Sequence, residues 1–459
     1  MSNDLSRRTL LGVLSLGATV SGLKGGKRLS SPATKTFSVD KKPALLGGDP
    51  VRTEPFASWP VIENNDRKAW QTVLEKGKWN RGPSVERFEK AWATKLESPY
   101  VVATASGTAA LYTSLFALNI GPGDEVIIPP YTFVATLNVV LLHHALPIFV
   151  DSDRSTLQID ANKIEKAITD RTRCIMPVHL GGNVANMDAI LEVGRKHGIP
   201  VLEDACQAHL AEWRNKKVGT VGDVGCFSLQ ASKNLNSGEG GIICGRDADV
   251  MARCAGFQDA GRGYTVNSDG EIVVDENSEF GYATLGDNRR ITEFQGALLL
   301  AQLTRLEEQA QRRETNAEYL TTQLNEIEGI LPAQMYDGCT RNAYHLYMFC
   351  YSPPEFLGLS RSRFIKALRA EGIPCSSGYS TLNKEPFIER TLNSPGFRRI
   401  YGADEIAKWK NRNKCPENDQ LCTEAVWFGQ TQLLGPKSDM DQIAGAIRKI
   451  QHNAKALLA

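Results

Sequence analysis

The sequence predicts an α/β fold, a three-layer α/β/α large domain followed by a smaller C-terminal α/β domain, on three observations. Short apolar runs alternate with helical-period segments from about Tyr100 to Gly245, the pattern of a sheet covered by helices. A long helix then opens near Thr292 and carries Leu298, Leu299, Leu303 and Leu306 at helical spacing, running on to about Leu324. Beyond it, strand-like and helix-like segments alternate again on a smaller scale to Ala459. A chain of 459 residues, 42% hydrophobic and 23% charged, is long enough to build both domains.

Strands are expected at Val101–Ala103, Glu125–Pro129, Ile148–Asp151, Cys174–Val178, Val201–Asp204, Gly225–Leu229 and Gly241–Cys244. Between them, Thr108–Leu118, Phe133–His144, Ala161–Thr169 and Met187–His197 read as helices. The stretch from Asp259 to Asp287 is rich in Gly, Asp, Asn and Ser and reads as a long surface loop beside the mouth of a site. After the long helix come a strand over Tyr344–Tyr351 and helices over Arg361–Glu371 and Asp439–His452. The expected division is a leader and linker over residues 1–42, a large domain with an N-terminal arm over 43–310, and a small domain over 311–459.

The first 42 residues differ in kind. Ser6-Arg7-Arg8-Thr9-Leu10-Leu11 precedes the apolar, glycine-rich run Gly12–Val20 and a Ser/Gly/Lys-rich stretch, which resembles a twin-arginine export signal and linker. Export to the periplasm is the expectation, with a disordered tail on a cytoplasmic protein as the alternative. The apolar run falls short of the ~20 residues of a membrane span, so no stable span is expected. Lys plus Arg (53) balance Asp plus Glu (52), leaving no global field to attract a nucleic-acid backbone or an acidic membrane surface. Ten cysteines without a C-x-x-C pair read as small buried hydrophobes. No metal site is expected on that spacing.

Four segments carry chemistry. In Cys226-Phe-Ser-Leu-Gln-Ala-Ser-Lys233-Asn-Leu-Asn-Ser-Gly-Glu-Gly-Gly241 a strand runs into a polar loop with one lysine, followed by a glycine-rich return strand. A desolvated lysine amine condenses with an aldehyde; taken alone, Lys233 also fits a solvated surface lysine. Upstream, Leu202-Glu203-Asp204-Ala205-Cys206-Gln207 puts an acid at the end of an apolar strand. Such a carboxylate keeps the pyridine nitrogen of pyridoxal 5′-phosphate (PLP) protonated, so that the ring acts as an electron sink; capping of the next segment is the plainer role. Gln207, one short turn on, can reach the cofactor's phenolic oxygen. Ala105-Ser106-Gly107-Thr108 couples a strand end to a helix start, offering backbone N–H groups, a dipole and two hydroxyls to a phosphate, although a simple N-cap looks the same. Phe133 offers a face to the pyridine ring, or else belongs to the core.

The ordered set SGTAAL, GPGDEVIIPPYTF, ITDRTRCIMPVHLGG, VLEDACQAH, FSLQASKNLNSGEGG and DNRRITEFQGALLLAQLTRLEEQ closely resembles the DegT/StrS family of PLP-dependent sugar aminotransferases, over roughly Gly77 to Arg313. The resemblance implies fold type I, PLP as cofactor, and Lys233 as the Schiff-base lysine with Asp204 at the pyridine nitrogen. It further implies Gln207 at the phenolic oxygen, Phe133 on the ring face, and Ser106, Gly107, Thr108 and Ser228 around the phosphate. Asn288 would reach that phosphate from the second subunit of a homodimer, a role that only the resemblance supplies.

Gln230 and Lys233, with Arg341-Asn342 and Cys415-Pro416-Glu417-Asn418, resemble the branch that acts on scyllo-inosose or deoxy-inosose together with 3-amino-5-hydroxybenzoate synthase. The implied reaction moves an amino group from glutamate or glutamine to a keto cyclitol or keto sugar. The alternatives are a nucleotide-linked keto-sugar acceptor and a non-catalytic PLP or sugar sensor on the same fold. A PLP-dependent dehydratase of the family carries His in place of the lysine, and Lys233 counts against it. Two residues depart from the family pattern, Leu210 where Gly is usual and Arg289 where an aromatic often follows the asparagine. Both are expected at substrate or interface contacts.

Overall fold

The computed structural model describes residues 39–276 and 281–458. The twin-arginine segment, with Arg7, Arg8 and Gly12–Val20, lies outside the described residues.

Seven short strands form the central sheet: β1 (Tyr100–Thr104), β2 (Glu125–Ile128), β3 (Leu146–Phe149), β4 (Thr172–Ile175), β5 (Leu202–Asp204), β6 (Val224–Ser228) and β7 (Gly241–Gly245). Their spatial order is β1-β7-β6-β5 on one side and β4-β2-β3 on the other. The two runs join where Ile175 meets Val201 and Val178 meets Asp204 in parallel bridges. Only β7 runs against its neighbours, pairing antiparallel with both β1 and β6. The other strands run parallel, so their carboxyl ends share one edge, where open α/β sheets bind ligands. The central strands are buried along most of their lengths, as a sheet covered on both faces must be.

Helices α1 (Asn64–Lys76), α2 (Pro83–Leu96), α3 (Gly107–Ala117), α4 (Val134–Leu142), α5 (Met187–His197) and α6 (Ala248–Gln258) cover this domain. Their ends are written locally. Asn186 accepts from Ala189 N at the start of α5 and Gly198, at φ 65°, ends it. Asp247 does the same for α6 through Val250 N.

The expected single helix from Thr292 is two, α7 (Glu293–Leu303) and α8 (Leu306–Leu324). The break falls at Arg305 (φ −114°, ψ −1°). Its buried guanidinium donates to Asp66 Oδ2 at 2.6 Å and Val61 O at 2.7 Å, so tertiary anchoring overrides continuous helical propensity. The expected loop 259–287 contains a hairpin, Tyr264–Val266 paired with Ile272–Val274. Asn267 Oδ1 closes its turn by accepting from the N–H groups of Asp269 and Glu271. The expected helix Ala161–Thr169 is shorter, a 3₁₀ turn over Ala161–Lys163 leading into Ile164–Ala167.

A second, three-stranded sheet is built from β8 (Ile330–Pro332), β9 (Leu346–Tyr351) and β10 (Ala425–Gly429), with β9 central and antiparallel to both. Helices α9 (Arg361–Ala370) and α12 (Lys437–His452) pack on it, whereas α10 (Pro395–Arg412) packs on the large sheet and α11 (Pro416–Glu424) on Tyr131 and Met348. The described buried apolar residues fall into three clusters, one on the large sheet, one on the C-terminal sheet and a small one with Tyr131, Val178, Met348 and Leu421, and they do not follow one cut in the chain. Leu45, Leu46, Val51 and Phe56 of the N-terminal arm pack on the C-terminal core, held by the buried Arg52–Asp439 ion pair and by the Lys449–Glu371 pair, whose carboxylate accepts from Ala44 N and Val51 N and whose amine donates to Asp49 O. Conversely Leu382, Ile388, Phe397, Ile406 and Trp409 join the core of the large sheet.

Candidate active site

The site begins where β1, β6 and β7 share a row: Thr104 and Ser228 both oppose Gly241. From that row the chain enters α3, whose N-cap Ser106 accepts from Ala109 N at 3.0 Å, a cap that contributes about 1 kcal/mol. Gly107 is buried, and a Cβ there would lie 2.8 Å from Ser228 Cβ and 2.9 Å from Cys206 Sγ. Only the absence of a side chain lets the helix start rest on the ends of β5 and β6. Thr108 is exposed on the first turn, and Ser228 Oγ accepts from Gln230 N at 3.3 Å. The positive end of the α3 dipole and its hydroxyls therefore converge on one spot.

Glu203 and Asp204 are both buried, and strand alternation sends them to opposite faces of β5. Glu203 is saturated: it accepts from the N–H groups of Gly219, Val221 and Gly222 and lies 2.8 Å from His179 Nε2. Asp204 faces the other way, taking Thr136 Oγ1–H at 2.8 Å on Oδ2 and Cys206 N–H at 3.2 Å on Oδ1. Thr136 belongs to α4, whose N-cap is Phe133, and Phe133 is 54% exposed although Thr132 before it is buried. An aromatic face thus stands open on the helix that grips the carboxylate. Gln207 accepts Gly181 N–H at 2.8 Å, which turns its amide nitrogen outward to Tyr379 Oη at 3.1 Å.

Lys233 is held by a loop whose shape its own backbone fixes: Lys233 N donates to Gln230 O, and Ala231 N donates to Gly238 O. Burial depresses the Lys233 ammonium pKa, and the Asp204 carboxylate opposes it. Among the described residues its amine has His345 Nε2 at 3.5 Å as hydrogen-bond neighbour. Beneath the loop lies Arg313, fully buried, whose Nε and Nη1 have no hydrogen-bond partner among the described residues. Burial pulls its pKa down to about 9. Its Nη2 donates to Gln430 Oε1, and Gln430 Nε2 donates to Ser232 O.

Ser106, Gly107, Ser228, Asp204, Gln207 and Lys233 thus gather at one edge of the sheet, with Thr108 and Phe133 open at its rim. Asn288 is exposed; the next residue, Arg289, is tied to the end of β1 through its carbonyl, which accepts from Ala105 N at 2.7 Å and Thr104 Oγ1 at 2.8 Å. The Arg289 guanidinium stacks 3.9 Å over Tyr112 and pairs with Asp287. Leu210 differs from its expected place at a contact surface: it is 1% exposed and adopts φ 66°, the left-handed conformation that suits glycine and costs a leucine roughly 1–2 kcal/mol. Thr136, Asn234, Arg313, His345 and Tyr379 were not legible beforehand. Thr136, Arg313, His345 and Tyr379 reach the site across long sequence separations without a spacing signal, and Asn234, next to Lys233 in sequence, gains its role only through the distant His345.

A helix start lined with hydroxyls, a buried carboxylate, an open aromatic face and a desolvated lysine together suit a phosphorylated aromatic aldehyde. On this sheet topology they define a transferase of PLP fold type I. The profile of the DegT/DnrJ/EryC1/StrS aminotransferase family matches residues 60–448, and the chain belongs to that family. Its relatives include the L-glutamine:2-deoxy-scyllo-inosose aminotransferase of Streptoalloteichus tenebrarius, 37% identical over 420 residues that cover 89% of this chain and 97% of that one. The enzyme of the same name from Streptomyces paromomycinus is 37% identical over 426 residues, covering 90% and 98%. Among solved structures, 3-amino-5-hydroxybenzoic acid synthase matches with a TM-score of 0.75 at 28% identity, covering 88% of this chain and 100% of that one. The protein is an aminotransferase, and its family is PLP-dependent. Among the described residues no helix is long and apolar enough to cross a membrane.

Proposed function

We propose that the protein transfers an amino group from glutamine to a keto cyclitol, with PLP held through the amine of Lys233. The observation that carries the substrate reading is the 37% identity, over about nine-tenths of the chain, to two enzymes named for L-glutamine and 2-deoxy-scyllo-inosose. PLP, when bound, supplies an electron sink for the substrate carbon that loses its proton. The chain does the rest. The start of α3, with Ser106, Gly107, Thr108 and Ser228, binds the phosphate; Asp204, oriented by Thr136, holds a proton at the pyridine nitrogen. Phe133 covers a ring face, and Gln207 donates to the phenolic oxygen. Lys233, desolvated and without an ion-paired carboxylate among the described residues, holds and moves the proton at the substrate carbon. The test is incubation of purified protein with glutamine and either 2-deoxy-scyllo-inosose or a nucleotide-linked keto sugar. Amino-cyclitol formation is expected; amination of the nucleotide-linked sugar alone would reject the cyclitol reading. Borohydride reduction should leave the pyridoxyl label on Lys233.

We also propose a homodimer in which Asn288 completes the partner's phosphate site. Ile62, Trp70, Leu74, Trp79, Tyr282 and Leu285 are large apolar side chains left exposed, in keeping with a covered face. Mixing Lys233→Ala subunits with subunits carrying Asn288→Ala should restore one intact site per heterodimer. No recovery after verified subunit exchange rejects the shared site. Export through Arg7 and Arg8 completes the reading.

A further inference from the structure

The lysine loop abuts a histidine whose protonation pattern its neighbours dictate. His345 directly precedes β9 and is 7% exposed. Its Nδ1 lies 3.3 Å from Asn234 Oδ1 and its Nε2 lies 3.5 Å from Lys233 Nζ. The Asn234 amide is oriented independently, because Nδ2 donates to Ala343 O at 2.7 Å, which turns Oδ1 to the ring. An amide oxygen only accepts, so Nδ1 carries the ring proton. A neutral imidazole has a single N–H, and Nε2 therefore offers its lone pair to Nζ.

The surroundings keep the ring neutral. Burial first, then the charge of Lys233, then His209 and Arg313, push the His345 pKa well below the usual histidine range. Those three groups face the ring, while Asp204 and Cys206 face the lysine. A carboxylate in place of His345 would hold the amine in its charged form. A neutral nitrogen acceptor orients the amine without doing so.

We propose that His345, locked by Asn234 in its Nδ1–H tautomer, is the positioning residue for the Lys233 amine, accepting one Nζ–H and thereby fixing the direction of the nitrogen's lone pair. This deepens the reading of Lys233 as the cofactor-holding residue and rests on it.

The test uses the full chain freed of cofactor. Two-bond ¹H–¹⁵N correlation spectra should show His345 protonated at Nδ1 and bare at Nε2. Competitive acetylation across pH, read on the Lys233 peptide, gives the apparent lysine pKa. His345→Phe removes a neutral acceptor, which favours the ammonium far less than a carboxylate would yet still measurably, and should lower that pKa by roughly one unit. His345→Gln, whose amide oxygen reaches the place of Nε2, should return it to near the wild-type value. An Nε2–H tautomer, or an unaltered lysine pKa in folded His345→Phe, overturns the proposal. The tautomer is read on the unaltered chain and decides the matter even where His345→Phe does not fold. Failure of the Lys233 reading shows separately, as a pyridoxyl label on another lysine after borohydride reduction of the loaded protein.

Discussion

Gly107→Ala isolates the phosphate cradle from the rest of the site. The new methyl would lie 2.8 Å from Ser228 Cβ, 2.9 Å from Cys206 Sγ and 3.1 Å from Ser228 Cα. Carbon atoms pack at about 3.5–4.0 Å, so the first turn of α3 must retreat by roughly 0.7 Å or more. All three neighbours sit at the ends of buried strands or beside them, and none is the tip of a flexible chain. Overpacking of this kind costs about 1–3 kcal/mol. The same shift draws the N–H groups of α3 away from the phosphate, and a loss of about 1.4–2.8 kcal/mol there weakens PLP binding some 10- to 100-fold. Gly121→Ala is the control, since a Cβ at Gly121 meets nothing within 4 Å. Fluorescence titration of the cofactor-free protein with PLP, beside thermal unfolding, reads both effects. Wild-type PLP affinity in a destabilised Gly107→Ala protein would refute the cradle and leave Gly107 a packing residue only.

Asp204→Asn should preserve the fold yet slow proton removal from the amino donor by orders of magnitude in single-turnover measurements; wild-type rates would reduce Asp204 to a structural cap. His209, buried against Trp92 and Phe227, has its pKa lowered from 6.5 to about 3, by burial and then by Lys233. Between those values the unfolded chain binds a proton that the folded ring refuses, so stability falls with falling pH by up to about 1.4 kcal/mol per unit. His209→Phe should therefore show a shallower loss of unfolding temperature between pH 7 and pH 5, and an unchanged slope would contradict the neutral ring. Replacing Arg7 and Arg8 by Lys should retain the protein in the cytoplasm, as fractionation would show; finding the unaltered chain there already rules out export.

What the sequence determined by itself is what is encoded locally. The strand-to-helix step at Ser106–Thr108, the acid ending β5 and the lysine loop before Gly238–Gly241 each occupy a few consecutive residues. Caps, glycines and apolar runs declare such units without help from the rest of the chain. The tertiary structure alone decided which groups meet them. Thr136 reaches Asp204 across 68 residues and His345 reaches Lys233 across 112, and a lone polar residue at such separation leaves no periodic trace. The leucine spacing runs unbroken through Thr304 and Arg305 because both α7 and α8 are apolar on one side; the break comes from the ion pair with Asp66, 239 residues away. The placement of residues 45–56 on the C-terminal core has the same origin. Periodicity tells a segment to bury a face, but only the closed fold, satisfying Arg52 with Asp439 and Glu371 with Lys449, selects the surface against which it is buried.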